Sequence, residues 1–375
     1  MDRRHDVKVS RFVFFHIEQL FKLCFFVFSQ SPYSYVPHPF LSYTDKMTFS
    51  QRMTNVLLSQ YENFAYHAFH LPNQEKLYNK YFPNARKSFN EIYKSSAIIF
   101  LNNHVSSSFA RPYLPNMIEI GGIHVEPAKP LPKNIQEFLD SAKDGVILFS
   151  MGSMIQAVNW PIETREALVK AFGKLKQKVL WKYENDTLPN KPDNVMISPW
   201  IPQRDIVAHP NVKVFITHGG LLGTTEALVE GVPVLGIPVF GDQRMNMAKA
   251  VTRGYGLQVE YNGITEEKVS KALNELLSNP KYSENAKRIS SIFNDRPLTP
   301  QQAVVYWTKY ALKHKGAPHL KAAGNSLSFV EFHLIDVYAT LAVIALAILF
   351  LNYLVLKFLI SKLFSKKADK KQKTK

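Results

Sequence analysis

Between Ser198 and Gln243 the chain runs SPWIPQRDIVAHPNVKVFITHGGLLGTTEALVEGVPVLGIPVFGDQ. This run holds an imidazole, two consecutive glycines, a carboxylate eight residues after the imidazole, and an Asp-Gln pair. Gly219 and Gly220 permit a tight turn and let a ligand approach the backbone closely. A turn that leads into a helix aims unpaired N–H groups and a partial positive charge at whatever lies above it, which suits a diphosphate. His218, at the turn, could donate a hydrogen bond to a phosphate oxygen. Glu226 could accept from ribose hydroxyls. Asp242 and Gln243 supply the acceptor and donor that sugar hydroxyls need. Singly, each piece has an ordinary reading: a tight turn, a surface carboxylate, a solvated loop. Their order and spacing together point to a nucleotide diphosphate and its sugar.

These side chains need a scaffold, and the hydrophobic pattern supplies one. Val212–Thr217 is a short apolar run between Pro210 and Gly219, and reads as a buried parallel strand. A helix follows over Thr224–Glu230, ending at Gly231. Val232–Val239 reads as the next strand, which puts Asp242 and Gln243 in a loop at its C-terminal end, where open α/β sheets bind ligands. Upstream lie strands at Val146–Phe149, Val179–Tyr183 and Val195–Ile197 and a helix at Ile162–Gln177. Downstream come a strand at Leu257–Tyr261 and a helix at Thr265–Leu277. Such alternation predicts a parallel sheet covered on both faces. Before it, Phe49–Phe69 and Asn73–Lys80 are patterned as helices and Ala97–Leu101 as a strand. Gly121, Gly122, Pro127, Pro130 and Pro132 mark a linker. Further helices are expected around Gln301–His314.

With these motifs in this order, the chain resembles the UDP-glycosyltransferase family, the membrane-bound branch that includes the UDP-glucuronosyltransferases, and its insect members in particular. The resemblance runs from about Ser31 to the C-terminus. It implies the GT-B architecture: an α/β chain with two Rossmann-like domains facing across a cleft, the first only partial here, the last helices crossing back to it. It also implies roles at matching positions. Trp200 stacks on or walls the uracil ring, and Gln203 contacts the base or ribose. Ser153, in the FSMGSM turn, lies by the uridine and phosphates. His218, Gly219 and Gly220 hold the diphosphate, Glu226 the ribose, and Asp242 with Gln243 the donor sugar. Many members carry Asn four residues after the His; Leu222 stands there, so one phosphate or ribose contact is expected to be either missing or replaced by Thr224 or Thr225.

Sugar transfer needs a stabilised diphosphate leaving group and a base for the acceptor hydroxyl. The resemblance places that base on a His near the start of the first domain, paired with an Asp, and this chain is expected to begin downstream of both. No catalytic residue is therefore assigned. His38, His67, His70, His104 and His124 read as structural or surface residues. Members that use glucuronate carry an Arg near Asn102-Asn103-His104; its absence favours UDP-glucose over UDP-glucuronate. The acceptor is expected to be a small lipophilic hydroxyl compound, with UDP-sugar as co-substrate and no cofactor or metal. Two readings stay open: an inverting transferase, or a non-catalytic membrane-anchored partner of a full-length relative.

The chain has 375 residues and 46% hydrophobic content, enough for two domains and a sizeable core. Its one cysteine, Cys24, allows no internal disulfide. The net charge of +16 is uneven, with seven Lys and one Asp in residues 361–375. No nucleic-acid signature accompanies it, so nucleic acid is not an expected partner. Val337–Leu356 contains no charge and is long enough to span a bilayer. The basic tail behind it puts the C-terminus in the cytosol. Lys371 and Lys373 match a retrieval signal of the endoplasmic reticulum, so a single-pass protein of that membrane with a lumenal domain is expected, with oligomers among relatives as further partners. Asn185-Asp186-Thr187 is an N-glycosylation triplet. The expected domains are an atypical segment at 1–30, the remainder of the acceptor-side domain at 31–125, and a linker at 126–144. The UDP-sugar domain follows at 145–290, crossing and juxtamembrane segments at 291–336, the span at 337–356 and the tail at 357–375. Phe12–Phe28 faintly resembles a signal peptide, broken by His16, Glu18 and Lys22.

Overall fold

The computed structural model describes residues 12–15 and 32–372, in two compact units that part between Lys321 and Ala322. The first unit holds two sheets. Strand β1 (Phe12–Phe15) pairs in parallel with β2 (Ile98–Leu101), and β2 with β3 (Met117–Glu119). Between β1 and β2 come α1 (Phe49–Ala65), a π-helical turn at Tyr66–His70, α2 (Leu71–Tyr81) and α3 (Phe89–Lys94). Every residue of β2 is buried, as expected of a strand covered on both faces. Phe12–Phe15, at the start of the stretch that faintly resembles a signal peptide, thus forms the edge strand of this sheet. The rest of that stretch lies outside the described residues.

Helix α4 (Lys133–Asp140) follows, inside the segment read as a linker. Its Ile135 and Leu139 are buried four residues apart, a spacing that the surrounding prolines obscure in the sequence. The second sheet then forms from β4 (Val146–Ser150), α5 (Ile162–Gly173), β5 (Lys178–Lys182), β6 (Val195–Ser198), α6 (Gln203–Val207), β7 (Val212–Thr217), α7 (Leu221–Glu230), β8 (Val234–Gly236), α8 (Gln243–Thr252) and β9 (Gly256–Gln258). Its order is β6-β5-β4-β7-β8-β9, with every neighbouring pair parallel. Strand β8 is shorter than the apolar run 232–239 because Pro233 and Pro238 flank it and neither can donate to the ladder. Helix α7 starts three residues before the expected Thr224, since Gly220 is its N-cap, and it ends at Gly231 in the left-handed conformation.

The side chains of β4 alternate between two cores. Ile147 and Phe149 meet Trp181, Phe172 and Leu273, while Val146 and Leu148 meet Leu180, Phe215 and Phe293. Helices α9 (Glu266–Ser278), α10 (Pro280–Asn294) and α11 (Pro300–Lys313) complete the unit. Helix α11 crosses back to the first sheet: Ala303 and Ala311 are buried with Ile98, Phe100 and Ile120. The second unit contains α12 (Phe329–Phe332) and α13 (Ile335–Gln372). Within α13, Ile335–Ile360 has a mean hydropathy of 2.5; among the described residues it is the one helix long and apolar enough to cross a membrane.

Candidate functional site

Three loops share one rim of the second sheet. Ser150 ends β4 opposite Thr217 at the end of β7, and Thr217 pairs with Gly236 at the end of β8. The loops beyond these ends carry Ser153, His218 to Gly220, and Asp242 with Gln243. The topology thus brings together residues up to ninety positions apart.

The His218 ring is set between two glycines. A Cβ on Gly152 would stand 2.9 Å from His218 Cε1, and one on Gly220 would overlap its Nε2. Gly152 has φ +76°, so its turn suits glycine twice over. Burial lowers the His218 pKa, while the Asp242 carboxylate pulls the other way. At neutral pH the imidazole is neutral, with one donor and one acceptor nitrogen. Its Nδ1 is buried and has no hydrogen-bond partner among the described residues.

Asn246, which the sequence reading did not single out, ties two motifs together. Its Nδ2 donates to Gly219 O at 3.0 Å and to Asp242 Oδ2 at 2.8 Å. It lies four residues after Asp242, one helical turn along α8, and that spacing was the available signal. Gly219 has φ +83°, and a Cβ there would meet Met247 Cγ at 2.8 Å. The glycine pair is therefore fixed from below by α8 and from the side by the His218 ring.

Gln203 and Glu226 meet directly. Gln203 Nε2 donates to Glu226 Oε2 at 2.6 Å, joining the start of α6 to α7. Burial raises the Glu226 pKa; the Gln203 hydrogen bond and Arg204 lower it, and Asp205 raises it further. His124, in the connection between the sheets, approaches the same carboxylate: its Nε2 lies 4.0 Å from Glu226 Oε1 and 3.2 Å from Leu222 O. Trp200 is 70% exposed, its carbonyl accepting from Ser198 Oγ at 2.7 Å, so its ring is open to stacking. Ser153 is also exposed.

Two expectations change. Thr224 and Thr225 do not stand in for Asn at position 222, because their hydroxyls are spent on the helix. Thr224 Oγ1 donates to Gly220 O at 2.8 Å and Thr225 Oγ1 to Leu221 O at 2.7 Å. Gln243 is only 4% exposed, and its Oε1 accepts from the N–H groups of Val239 at 2.7 Å and Phe240 at 3.0 Å. It shapes the loop before Asp242, leaving only its amide nitrogen to offer a sugar.

The two sheets are joined by polar contacts. Arg253, the C-cap of α8, forks onto the carbonyls of Ser106 and Ser108, and Arg296 donates to Gly121 O at 2.8 Å. Lys249, buried between these layers, has its pKa pushed down to about 7, by burial first and then by Arg253 and Arg111, against the pull of Asp242. The histidines before the linker are engaged elsewhere. His38 is buried against Glu62 at 2.7 Å. His70 stacks on Tyr66 and His67 meets it edge-on, and burial with Arg296 holds His104 at a pKa of about 4.

Two parallel α/β sheets, a helix crossing back between them and a polar rim at the strand ends define a GT-B glycosyltransferase fold. The comparisons agree. A kitacinnamycin glycotransferase has a TM-score of 0.51 at 18% identity, over 69% of this chain and 66% of that one. Spinosyn forosaminyltransferase SpnP has a TM-score of 0.50 at 20% identity, over 60% of this chain and 57% of that one. In sequence, UDP-glycosyltransferase UGT5 of Dactylopius coccus is 44% identical over 312 residues, which is 83% of this chain and 59% of the relative. UDP-glucuronosyltransferase 2C1 of Oryctolagus cuniculus is 38% identical, over 83% of this chain and 62% of the relative. The sequence pattern of the UDP-glucoronosyl and UDP-glucosyl transferases matches residues 11–371, and the chain belongs to that family. The match begins twenty residues before Ser31, where the resemblance was expected to start, and so takes in β1. The chain spans about three fifths of the length of these curated relatives, 59% and 62%.

Proposed function

We propose that the chain is a UDP-glycosyltransferase that moves a hexose from a UDP-sugar to a hydroxyl of a small lipophilic acceptor, with inversion. One observation carries the reading: His218 to Gly220, the Gln203–Glu226 pair and the Asp242–Asn246 pair converge on a single rim. In this reading the uracil stacks on Trp200 and the ribose hydroxyls donate to Glu226. The diphosphate lies on the His218 turn, beside Ser153. The sugar reaches Asp242 and the amide of Gln243. The acceptor hydroxyl oxygen attacks the anomeric carbon as the bond to the diphosphate breaks, its proton passing to water, and the turn stabilises the charge left on UDP. The absence of Arg at 102–104 favours UDP-glucose as donor. A second reading, a nucleotide-sugar-binding partner of a relative, is favoured by the engagement of His38 and His104 within the fold.

The apolar helix and the Lys-rich end support a single-pass protein of the endoplasmic reticulum, with the sugar domain lumenal and the tail cytosolic. Calorimetry on the full chain with UDP, UDP-glucose and UDP-glucuronate tests the site. Binding of none of them overturns both readings; product formation with a phenolic acceptor selects the transferase. Asn185 is exposed, so a lumenal domain predicts a glycosidase-sensitive mobility shift there.

A further inference from the structure

A cavity of about 360 Å³ opens where the connections between the two sheets meet. Its wall draws on four stretches: the loop after β3, the start of α6, the end of α7, and the turn from α10 into α11. Val125, Val229, Phe293 and Leu298 make much of that wall apolar, and Arg204 and Arg296 supply its cations. None of the residues assigned to the nucleotide sugar lines it.

Each guanidinium is held by two of its three nitrogens, and the third is idle. Arg204 Nε donates to Glu126 O at 3.0 Å and its Nη2 pairs with Glu230 Oε1 at 2.6 Å, while Nη1 is buried and has no hydrogen-bond partner. Arg296 Nε donates to Phe293 O at 2.7 Å and its Nη1 to Gly121 O at 2.8 Å, while Nη2 is buried without a partner. The Phe293 ring, with its centroid 4.2 Å from Arg296 Cζ, steadies that guanidinium further. The one carboxylate in the wall, Glu126, is engaged by Lys129 at 2.8 Å. A buried charged N–H without an acceptor is unfavourable and calls for an explanation. The natural acceptor is a carboxylate, whose oxygens suit the planar guanidinium fork. An apolar wall then takes a hydrophobic body, and the volume lies in the range of small-molecule pockets. Inorganic phosphate would satisfy the cations and leave that wall unused.

We propose that this cavity is a second ligand site, for an apolar carboxylate of the aryl-acid class, separate from the rim that carries His218 and Asp242. The proposal is independent of the transferase reading. The test uses the full chain in lipid nanodiscs, irradiated with para-benzoylbenzoate and mapped by mass spectrometry of its peptides. We expect adducts within residues 122–127 and 293–301, competed by naphthoate and not by inorganic phosphate at the same concentration. The neutral para-benzoylbenzamide should label these residues about tenfold less or weaker still, the loss expected when a charge-assisted hydrogen bond goes. Arg204→Gln should lower capture of the acid similarly. So should Leu298→Trp, which fills the cavity from a position that is 41% exposed and so spares the core. No adduct at these residues overturns the proposal, as do equal labelling by the amide, full competition by phosphate, or capture unchanged in both variants.

Discussion

Replacing Gln203 by leucine removes one hydrogen bond from the candidate ribose carboxylate and leaves the volume of the side chain nearly intact. The bond is short, 2.6 Å, and Glu226 is mostly buried, with its side chain 12% exposed. A hydrogen bond to a charged group in such a setting contributes about 1.5–3 kcal/mol. That cost falls on the fold; UDP binding loses only the part that reappears as a displaced or protonated Glu226, at most roughly hundredfold at about 1.4 kcal/mol per decade. The pH dependence gives a second readout. Burial raises the Glu226 pKa, and Gln203 opposes that rise. In the proposed pose ribose hydroxyls donate to the ionised carboxylate, so affinity is full above the raised pKa and falls as pH drops through it. Protonation of this carboxylate favours the fold while it weakens the ligand, so stability and affinity should diverge as pH falls. In Gln203→Leu the pKa rises further, and the loss of affinity moves to higher pH. Calorimetric titration of UDP across a pH series measures both effects. Unchanged affinity with an unshifted profile would refute the assignment of Glu226 to the ribose.

Three further outcomes are expected. Gly152→Ala places a Cβ 2.9 Å from His218 and forces alanine to φ +76°, which should cost about 1–2 kcal/mol in thermal unfolding and weaken UDP as the ring is displaced. Arg253→Ala strips two carbonyls of their donor and should destabilise by about 1–3 kcal/mol, with faster hydrogen exchange across residues 104–108. Lys249→Met should stabilise at neutral pH: the lysine pKa is depressed to about 7, so its burial is fully costly below that pH and costless above its unfolded value near 10.4. Urea denaturation at pH 7 and pH 10 checks this, with the gain large at the first and mostly lost at the second, as the unfolded lysine approaches its own pKa.

The sequence alone determined the parallel sheet, because strand-length apolar runs alternating with helix-length segments have few other ways to bury themselves. Val212–Thr217 matches β7 to the residue for that reason, and the crossing helix near 301–314 was visible in the same way. The residue types at His218, Glu226 and Asp242 were also legible, since their spacing follows the strand–turn–helix unit. Their partners were not. Gln203 meets Glu226 and Asn246 meets Gly219 only because β7 lies between β4 and β8 and α8 packs beneath the turn. The fate of Thr224 and Thr225 depended on where α7 begins, since a hydroxyl one turn into a helix finds the carbonyl four residues back. Helix α1 reads as an ordinary amphipathic segment until Asn55 and His38 are seen to lock its polar side inward. Periodicity shows that a helix has two faces; only the tertiary contacts decide which one is buried.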